Sequence, residues 1–394
     1  MKKKAIALVL GGLFVLPAVA QSNVTISGVA AISYNNYKVT NTLRTAATEN
    51  RLDDNSSRFT LKGTEDLGGG LQAYFQFENR VSLDTRPNST FGSAQGLGDG
   101  ESFVGLKGKA WGSVGFGKYE MHYHETKSLE PYRAQQTQLL VGQNLLGQVS
   151  GNSFTAVKVA GGSRLQNTIK YDTPNWAGFS GKFAYSFSPA GNEGTLTNTG
   201  ANGGASNQYG GTVAAATNNQ YNKGNAWTLG GNYKNGPIFA ALSYYEFSPE
   251  NGQRNTGQES TRFGFGYTFP FGLSLGVAYD RSKVEGATNA ADVKRNAWMI
   301  PVRYAFGAHA VYFTYGKANS PSGQSQSGAR QYSLAYDYAF SKRTFVGVSY
   351  ADLKNQANAR YSMWNAGTNT QGGSQITANG EDARNFSLNL THLF

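Results

Sequence analysis

The chain has 394 residues and a formal net charge of +11, with 50 glycines, 23 tyrosines, 23 phenylalanines and no cysteine. Only 39% of its residues are hydrophobic, which is too few for the cores of two or three soluble domains. The lack of cysteine excludes a disulfide scaffold, and the positive charge is scattered rather than clustered, which argues against nucleic acid as a partner.

The first twenty residues have the pattern of a secretory signal peptide. Lysines at positions 2–4 precede an apolar run over 5–20, and Ala18-Val19-Ala20 is a small-residue cleavage site. The run is shorter than the roughly 20 apolar residues that a membrane helix needs. We therefore expect residues 1–20 to be removed and residues 21–394 to form a single domain. A retained membrane anchor is the alternative.

Beyond this segment one unit repeats: a strand of alternating apolar and polar residues, a tight turn, a second such strand and a longer polar loop. Tight turns rich in Gly, Pro and Asn, as hairpins use, lie near 67–70, 110–112, 174–178, 235–237, 270–272, 306–308 and 341–343. Long loops lie near 38–55, 85–100, 120–162, 189–224, 249–259, 285–293, 319–329 and 354–382. These seven turns and eight loops predict sixteen strands.

The basic residues fall on the polar side of these strands. Alternation assigns Phe59, Leu61, Leu165, Ile169 and Tyr171 to the lipid side. A charge facing lipid at mid-depth costs about 2–4 kcal/mol, so the intervening charges are expected to face the pore. The predicted pore-lining basic wall is Arg58, Lys62, Arg80, Arg164 and Lys170, and the same alternation turns Arg262, Arg295 and Arg303 inward. Such a wall attracts anions; a solvated face without selectivity is the alternative.

The loop 120–162 is predicted to fold into the pore. It is the longest loop, and its apolar pairs Leu139-Leu140 and Leu145-Leu146 favour packing against another surface. Its candidate constriction residues are Glu120, Glu125, Glu130 and Arg133. The carboxylates of the three glutamates would face the arginines of the wall and produce a transverse electric field across the pore. Ordinary solvated loop charges are the alternative.

Three patterns approach those of enzymes or metal sites. Residues 112–118 nearly match a phosphate-binding loop, but Tyr119 stands where Ser or Thr would hold Mg²⁺. Residues 272–276 match the nucleophile-elbow pattern, but they alternate as a strand. His122 and His124 lack an evident third metal ligand. We therefore expect no catalysis, no cofactor and no metal.

The last ten residues form the clearest strand. Apolar residues at 386, 388 and 390 alternate with polar residues at 385, 387, 389 and 391, and an aromatic residue, Phe394, ends the sequence. With the signal peptide and the even strand number, this predicts an all-β protein: a sixteen-stranded antiparallel transmembrane β-barrel with long external loops, one of them folded into the pore.

Several segments resemble the general porins of Gram-negative bacteria, beta-proteobacterial type. They are 24–34, 57–71, 102–108, 164–181 and the terminal His392-Leu393-Phe394, and the resemblance extends over the whole chain. It implies a homotrimer in the outer membrane and passive diffusion of ions and small hydrophilic solutes, often with anion preference. It maps a basic wall onto Arg58 and Arg164. One departure is Asp99-Gly100-Glu101, where relatives often have a basic residue, and this acidity would weaken anion preference.

The sequence therefore predicts a multi-pass outer-membrane porin without cofactor, whose partners are other copies of itself, membrane lipids, small ions and hydrophilic solutes, and not nucleic acid. Two other functions stay open. One is a solute-specific channel with an aromatic or basic binding track, and the other is a structural or adhesive barrel with a plugged pore. A membrane enzyme ranks below both because no catalytic triad is evident.

Overall fold

The computed structural model describes most of the chain from residue 23 onward. The described residues are 23–41, 48–81, 83–84, 98, 100–120, 122, 125–130, 132, 139–150, 156–158, 164–189, 224–249, 257–286, 288–289, 292–363, 376 and 378–394. The proposed signal peptide, Arg133 and His124 lie outside them.

Within this part of the chain the dominant element is one large antiparallel sheet of sixteen strands. They are β1 (Asn23–Thr40), β2 (Thr48–Asp54 and Arg58–Gly68), β3 (Leu71–Arg80), β4 (Ser102–Gly108), β5 (Gly112–Glu120), β6 (Arg164–Asp172), β7 (Phe179–Ser186), β8 (Gly224–Asn235), β9 (Ile238–Pro249), β10 (Gln258–Thr268), β11 (Leu273–Val284), β12 (Val293–Phe306), β13 (His309–Ala318), β14 (Ala329–Ala339), β15 (Thr344–Asn355) and β16 (Asp382–Leu393).

The second strand is interrupted but continuous in its pairing. Its two parts both pair with β1, where Ile32 lies opposite Asp54 and Val29 lies opposite Arg58. Between the parts, Ser56 has a φ of 62°, a value that a residue other than glycine adopts only rarely. The Asp54 carboxylate accepts a hydrogen bond from the Ser57 N–H at 3.0 Å, which holds this kink.

The barrel is closed by pairing of its last strand with its first. The register runs from Val29 opposite Leu393 to Thr40 opposite Asp382. Every other strand pairs with its sequence neighbour. Closure pairs the backbone polar groups that an open edge would expose, which is the condition for a sheet in a membrane. The predicted all-β, sixteen-stranded antiparallel barrel is confirmed.

The two faces of the sheet have the polarity of a membrane barrel. On β16, Phe386, Leu388 and Leu390 are 45–48% exposed, whereas Ser387 is fully buried. The same inversion occurs along β10, where Phe263 and Phe265 are exposed and Arg262 is buried. Apolar residues therefore form the outer surface and polar residues face inward, as hydrocarbon outside and a polar interior require.

A short helix, α1 (Val141–Asn144), and a 3₁₀ turn (Lys127–Leu129) lie between β5 and β6, followed by a small hairpin of Gln148–Ser150 and Ala156–Lys158. Among the described residues no helix has the length and apolarity to cross a membrane. The larger cluster of buried apolar side chains combines Leu139, Val141 and Leu145 of this region with Met299 and Tyr312 of the wall. The main core of the molecule therefore lies where this loop meets the sheet.

Candidate functional site on the lumen wall

Three arginines of the predicted basic wall converge on one carboxylate, Glu78. The distance to its carboxylate oxygens is 3.8 Å from Arg58 Nε, 3.0 Å from Arg80 Nη2 and 2.9 Å from Arg164 Nη2. Arg58 lies directly opposite Arg80 on β2 and β3, a pairing of like charges that is unfavourable in a sheet. Glu78 offsets that repulsion and holds the three guanidinium groups as one cluster.

Two further carboxylates belong to this cluster. Arg164 Nη2 lies 3.0 Å from Glu120 Oε1. The Glu120 backbone N–H donates to Glu101 Oε1 at 2.8 Å. Burial, followed by the charge of Glu120, raises the pKa of Glu101, which lies just before β4. Three arginines and three carboxylates therefore share a small region, so much of the positive charge of this part of the wall is compensated.

The opposite part of the wall carries the loop between β5 and β6. We call residues 122–147 the inner segment, of which 122, 125–130, 132 and 139–147 are described. Tyr132 Oη lies 2.9 Å from Thr314 Oγ1 on β13, and Asn144 Nδ2 donates to Gln331 Oε1 on β14 at 2.8 Å. Thr314 and Gln331 are buried polar residues on the inward face of the sheet. The inner segment is therefore hydrogen-bonded to the lumen side of the barrel.

His122 provides a second anchor of the inner segment. Its Nδ1 lies 2.7 Å from Ser243 Oγ on β9, and its Nε2 lies 2.8 Å from Ser260 Oγ on β10. The ring is completely buried. Burial and the nearby Arg262 lower its pKa from 6.5 to about 3, against the opposing effect of Asp280. The neutral ring therefore joins two serines of adjacent strands, and it has no access to a substrate.

A buried charge network lies beside this anchor. Asp280 accepts from Arg262 Nη2 at 3.1 Å and from Arg295 Nη2 at 3.4 Å, and all three side chains are almost completely buried. The backbone N–H of Gly147 donates to Asp280 Oδ1 at 3.0 Å, and Arg295 donates to the carbonyl oxygen of Leu145. These inward arginines therefore hold the inner segment.

The comparisons with known proteins identify the family. Residues 5–359 match the model of the Gram-negative porin family. The chain belongs to this family. It is 27% identical over 331 residues to an outer membrane porin of Bordetella pertussis, which covers 77% of this chain and 78% of that protein. It is also 27% identical over 393 residues to outer membrane porin protein 32 of Delftia acidovorans, covering 96% and 95% of the two chains.

Solved structures agree on the fold of this porin. An anion-selective porin from Comamonas acidovorans matches with a TM-score of 0.62 and 23% identity over 95% of this chain and all of that chain. OmpT of Vibrio cholerae matches with a TM-score of 0.60 and 13% identity, covering 95% and 98% of the two chains. The family match and the outer-membrane relatives identify the protein as a multi-pass porin channel of the outer membrane.

The predicted basic wall of the porin divides into four residues with a carboxylate partner and one without such a partner among the described residues. Arg58, Arg80 and Arg164 are the carboxylate-bound cluster described above. Lys170 Nζ lies 3.0 Å from Asp172 Oδ2 and 5.1 Å from the centroid of the Tyr119 ring. Lys62 is exposed and forms no ion pair with any described residue. The structure therefore gathers these residues on strands β2, β3 and β6, and their role in selectivity stays a prediction.

The predicted constriction residues have separate roles. Glu120 ends β5 instead of belonging to a free loop, and Glu125 forms an ion pair with Lys182 on β7. Glu130 accepts hydrogen bonds from the N–H groups of Val141 and Gly142, at 3.0 and 2.9 Å, and so caps α1. Burial outweighs those two bonds and raises the pKa of Glu130 to about 8. Capping by Glu130 had no signal in the sequence, because Val141 lies eleven positions after it in the chain.

One face assignment from the sequence is wrong. Alternation predicts that Leu165 faces lipid, but it is 1% exposed and lies opposite Tyr119 in a buried apolar cluster. The register between β5 and β6 shifts between Gly117 and Tyr119, and Asn167 has a φ of 48°. An extra residue in one strand reverses the faces beyond it, and strict alternation cannot reveal such a bulge.

Proposed function

We propose that this porin is a passive, water-filled channel for ions and small hydrophilic solutes, that it prefers anions and that it catalyses no reaction. The observation that carries the proposal is the concentration of basic side chains on the inward face of β2–β6, beside the Glu78 cluster. A confined aqueous passage with a surplus of one sign of charge raises the local concentration of the opposite ion. The Comamonas neighbour shares only the fold, so the argument for anions rests on these charges.

The inner segment is proposed to narrow this channel. Its described residues are hydrogen-bonded to inward-facing side chains of β9–β14, so they occupy space inside the wall. The arginine cluster lies on the other part of the wall, on β2, β3 and β6. An ion that crosses the barrel would pass between the two, where the wall charges act at short range.

A reversal potential measured in a KCl gradient across a planar bilayer tests the anion preference. We expect a potential of the sign that chloride permeation gives, largest near 0.1 M salt, where the Debye length is about 10 Å, and small at 1 M, where it is about 3 Å. A potential of the opposite sign at low salt would refute anion preference while leaving the channel itself intact.

The assembly is proposed to be a homotrimer embedded in outer-membrane lipid, made from a mature chain of residues 21–394. The apolar outer face of every strand supports lipid contact, and the trimer is supported by the family. Intact-mass measurement of protein purified from outer membranes tests cleavage after Ala20. Native mass spectrometry or sedimentation in detergent tests the trimer, and a monomer with normal conductance would contradict it.

A solute-specific channel is the second candidate. One observation favours it: a group of aromatic rings on the inward face of β3–β5, flanked by lysines. The properties of this group lead to a more specific inference.

A further inference from the structure

Two lysines of the inward wall differ from the arginines in having no carboxylate partner among the described residues. Lys62 on β2 is exposed, and its side chain forms no ion pair with the residues the structure describes. Lys107 on β4 contacts an aromatic ring instead: its Nζ lies 5.8 Å from the centroid of Tyr74. These lysines therefore offer a passing anion positive charge that no carboxylate of the described residues offsets.

The strand register places both lysines beside Tyr74. Lys62 lies opposite Gln76 and Thr64 lies opposite Tyr74, so Lys62 is a diagonal neighbour of Tyr74 across β2 and β3. Lys107 is its diagonal neighbour on the other side, because Gln72 lies opposite Lys107 and Tyr74 lies opposite Gly105. Diagonal neighbours in a sheet are within reach of long and aromatic side chains. Tyr74 therefore lies between two lysine positions on the neighbouring strands, and the ammonium group of Lys107 lies over its ring.

Aromatic rings continue from Tyr74 along the wall. Phe103 meets Tyr74 edge-to-face, with centroids 5.7 Å apart and an interplanar angle of 64°. Phe103 also stacks on Tyr119, at 4.6 Å and 13°. Tyr119 is only 3% exposed, whereas Tyr74 and Phe103 are half-buried and present surface to the lumen. Two accessible rings at a steep angle form a corner that accepts one flat ring by stacking and edge contact.

Two glycines leave room for these rings: Gly105 lies opposite Tyr74, and Gly115 lies beneath the hydroxyl end of Tyr119. A Cβ on Gly105 would lie 2.8 Å from a ring carbon of Tyr74, and a Cβ on Gly115 would lie 1.9 Å from the hydroxyl oxygen of Tyr119. A larger residue at either position would displace a ring, and at Gly105 it would also meet the carbonyl oxygen of Val114 at 2.3 Å. The sequence of β4 and β5 therefore keeps room for aromatic side chains to lie against the sheet.

We propose that Lys62, Tyr74, Phe103 and Lys107 form a binding site for planar aromatic carboxylates inside the channel. The ring of the solute lies against Tyr74 and Phe103, and its carboxylate is held by the two ammonium groups. The site lies between the Glu78 cluster and the turn at 69–70, because β2 and β3 run from that cluster to this turn. This inference rests on the proposed channel, through which the solute reaches the site.

Block of single-channel current tests the site. Two probes of equal charge and similar size are compared at 0.1 M KCl: benzoate, which is flat, and cyclohexanecarboxylate, which is not. We expect benzoate to reduce the current at a concentration at least about tenfold lower, a difference that corresponds to about 1.4 kcal/mol. Equal block by the two probes would overturn the proposal.

Variants separate the contributions of ring and charge. Tyr74→Leu should remove the preference for benzoate, whereas Lys62→Gln and Lys107→Gln should weaken block by both probes to a similar degree, several-fold. Lys317→Gln is the matched control, because Lys317 is an exposed lysine of β13 on the outer face of the barrel. A benzoate preference that survives Tyr74→Leu would also overturn the site. The lysine variants alter exposed or ring-contacting ammonium groups, so they keep the test available if Tyr74→Leu fails to fold.

Failure of the channel and failure of the site give different results. Conductance in KCl alone reports the channel, so a conducting protein without discrimination between the probes refutes only the site. Calorimetric titration of the folded protein in detergent with each probe reports binding without requiring conductance. Absence of benzoate binding in that titration would refute the site directly, and benzoate binding in a non-conducting protein would refute only the channel.

Discussion

At the scale of single residues, Glu78 determines how much positive charge the arginine cluster presents. Its carboxylate lies within 3.0 Å of both Arg80 and Arg164 and within 3.8 Å of Arg58. Charges about 7 Å apart interact by about 2–3 kcal/mol at an effective dielectric constant near 20, so one carboxylate alters the field for every ion that passes nearby. The acid is therefore as important for selectivity as the arginines it binds.

Glu78→Gln is expected to increase anion preference. The substitution keeps an amide oxygen that the guanidinium groups can use, but it removes one negative charge from the cluster. The reversal potential in a 0.1 M KCl gradient should shift in the chloride direction, and the shift should fade near 1 M salt. Glu65→Gln is the control, since Glu65 is an exposed strand residue outside this cluster. An unchanged potential would mean that the cluster does not control ion passage.

The double substitution of Arg58 and Arg164 by Gln is expected to shift the reversal potential in the opposite direction, toward cation preference. It removes two positive charges and leaves Glu78 with Arg80, so the reversal potential should move toward cations. Both side chains are partly exposed, at 21% and 12%, and neither belongs to an apolar core, so the barrel should still assemble. The measurement is the same gradient experiment, with a folded-protein gel assay for assembly. A folded variant without a shift would require the pore-lining residues to be reassigned.

At the scale of elements, the sequence predicted the large features better than the small ones. Apolar residues such as Leu139 and Leu145 correctly marked a loop that packs onto another surface, because a solvated loop has no use for them. The positions of His122 and Glu130 could not be predicted, since their partners on β9, β10 and α1 are brought together only by the closed barrel. Leu165 was misplaced because a bulge of one residue has no signature in the periodicity.

Leu145→Asp should release the inner segment from the wall. Leu145 is fully buried in the apolar cluster that joins the inner segment to the barrel wall. A buried, unpaired carboxylate there would reduce the free energy of docking by several kcal/mol. The released segment would either become mobile within the lumen or leave the lumen. Both outcomes should change the conductance and the current noise, and a segment that leaves the pore should also admit larger solutes. Ser128→Asp adds the same charge at an exposed position of the segment and should leave conductance nearly unchanged. Equal behaviour of the two variants would contradict the packing described.

Attachment of the inner segment is expected to depend on pH in both directions. In the docked segment the pKa of Glu130 is raised from 4.5 to about 8. Between these two pH values the docked carboxyl group stays protonated, whereas the carboxyl group of a released segment ionises. Docking therefore weakens as pH rises toward 8. His122 has its pKa lowered from 6.5 to about 3, so only the released segment takes up a proton as pH falls. Docking therefore weakens again as pH falls toward 3.

Between pH 4.5 and 6.5 these two effects oppose each other, so docking should be strongest and nearly constant there. Outside that window it should weaken by up to about 1.4 kcal/mol per pH unit. Conductance noise recorded from pH 3 to pH 8.5 measures this. Glu130→Gln should remove the alkaline change, and His122→Phe should remove the acid change while weakening docking at every pH. A pH profile that neither variant alters would show that other groups are responsible.

At the scale of the whole molecule, closure of the barrel depends on the contact between the first strand and the last residue. The Gly28 N–H donates to the carbonyl oxygen of Phe394 at 2.8 Å, and the Phe394 N–H donates back to Gly28 at 3.1 Å. The alternation of β16 made this strand predictable from sequence. The close approach of the Phe394 ring to the backbone of β1 was not predictable, because it depends on the register of two strands at opposite ends of the chain.

Gly28→Ala is therefore expected to impair assembly more than conductance. A Cβ at this position would lie 2.2 Å from Cζ of Phe394 and 2.6 Å from the carbonyl oxygen of Arg58, so the ring and the β1–β2 ladder would both have to move. Overpacking of this kind costs about 1–3 kcal/mol. Gly231→Ala is a closely matched control, because Gly231 is also a strand glycine and its added Cβ would approach nothing nearer than 4.0 Å. The measurement is the yield of heat-modifiable folded protein together with the urea midpoint of unfolding.

Deletion of Phe394 removes the same closure contact from the other side and should lower the yield as well, with normal conductance in the barrels that do form. If Gly28→Ala and the Phe394 deletion both gave the yield of Gly231→Ala, closure would be supported by the remaining β1–β16 pairs alone, and the terminal aromatic would have no part in it.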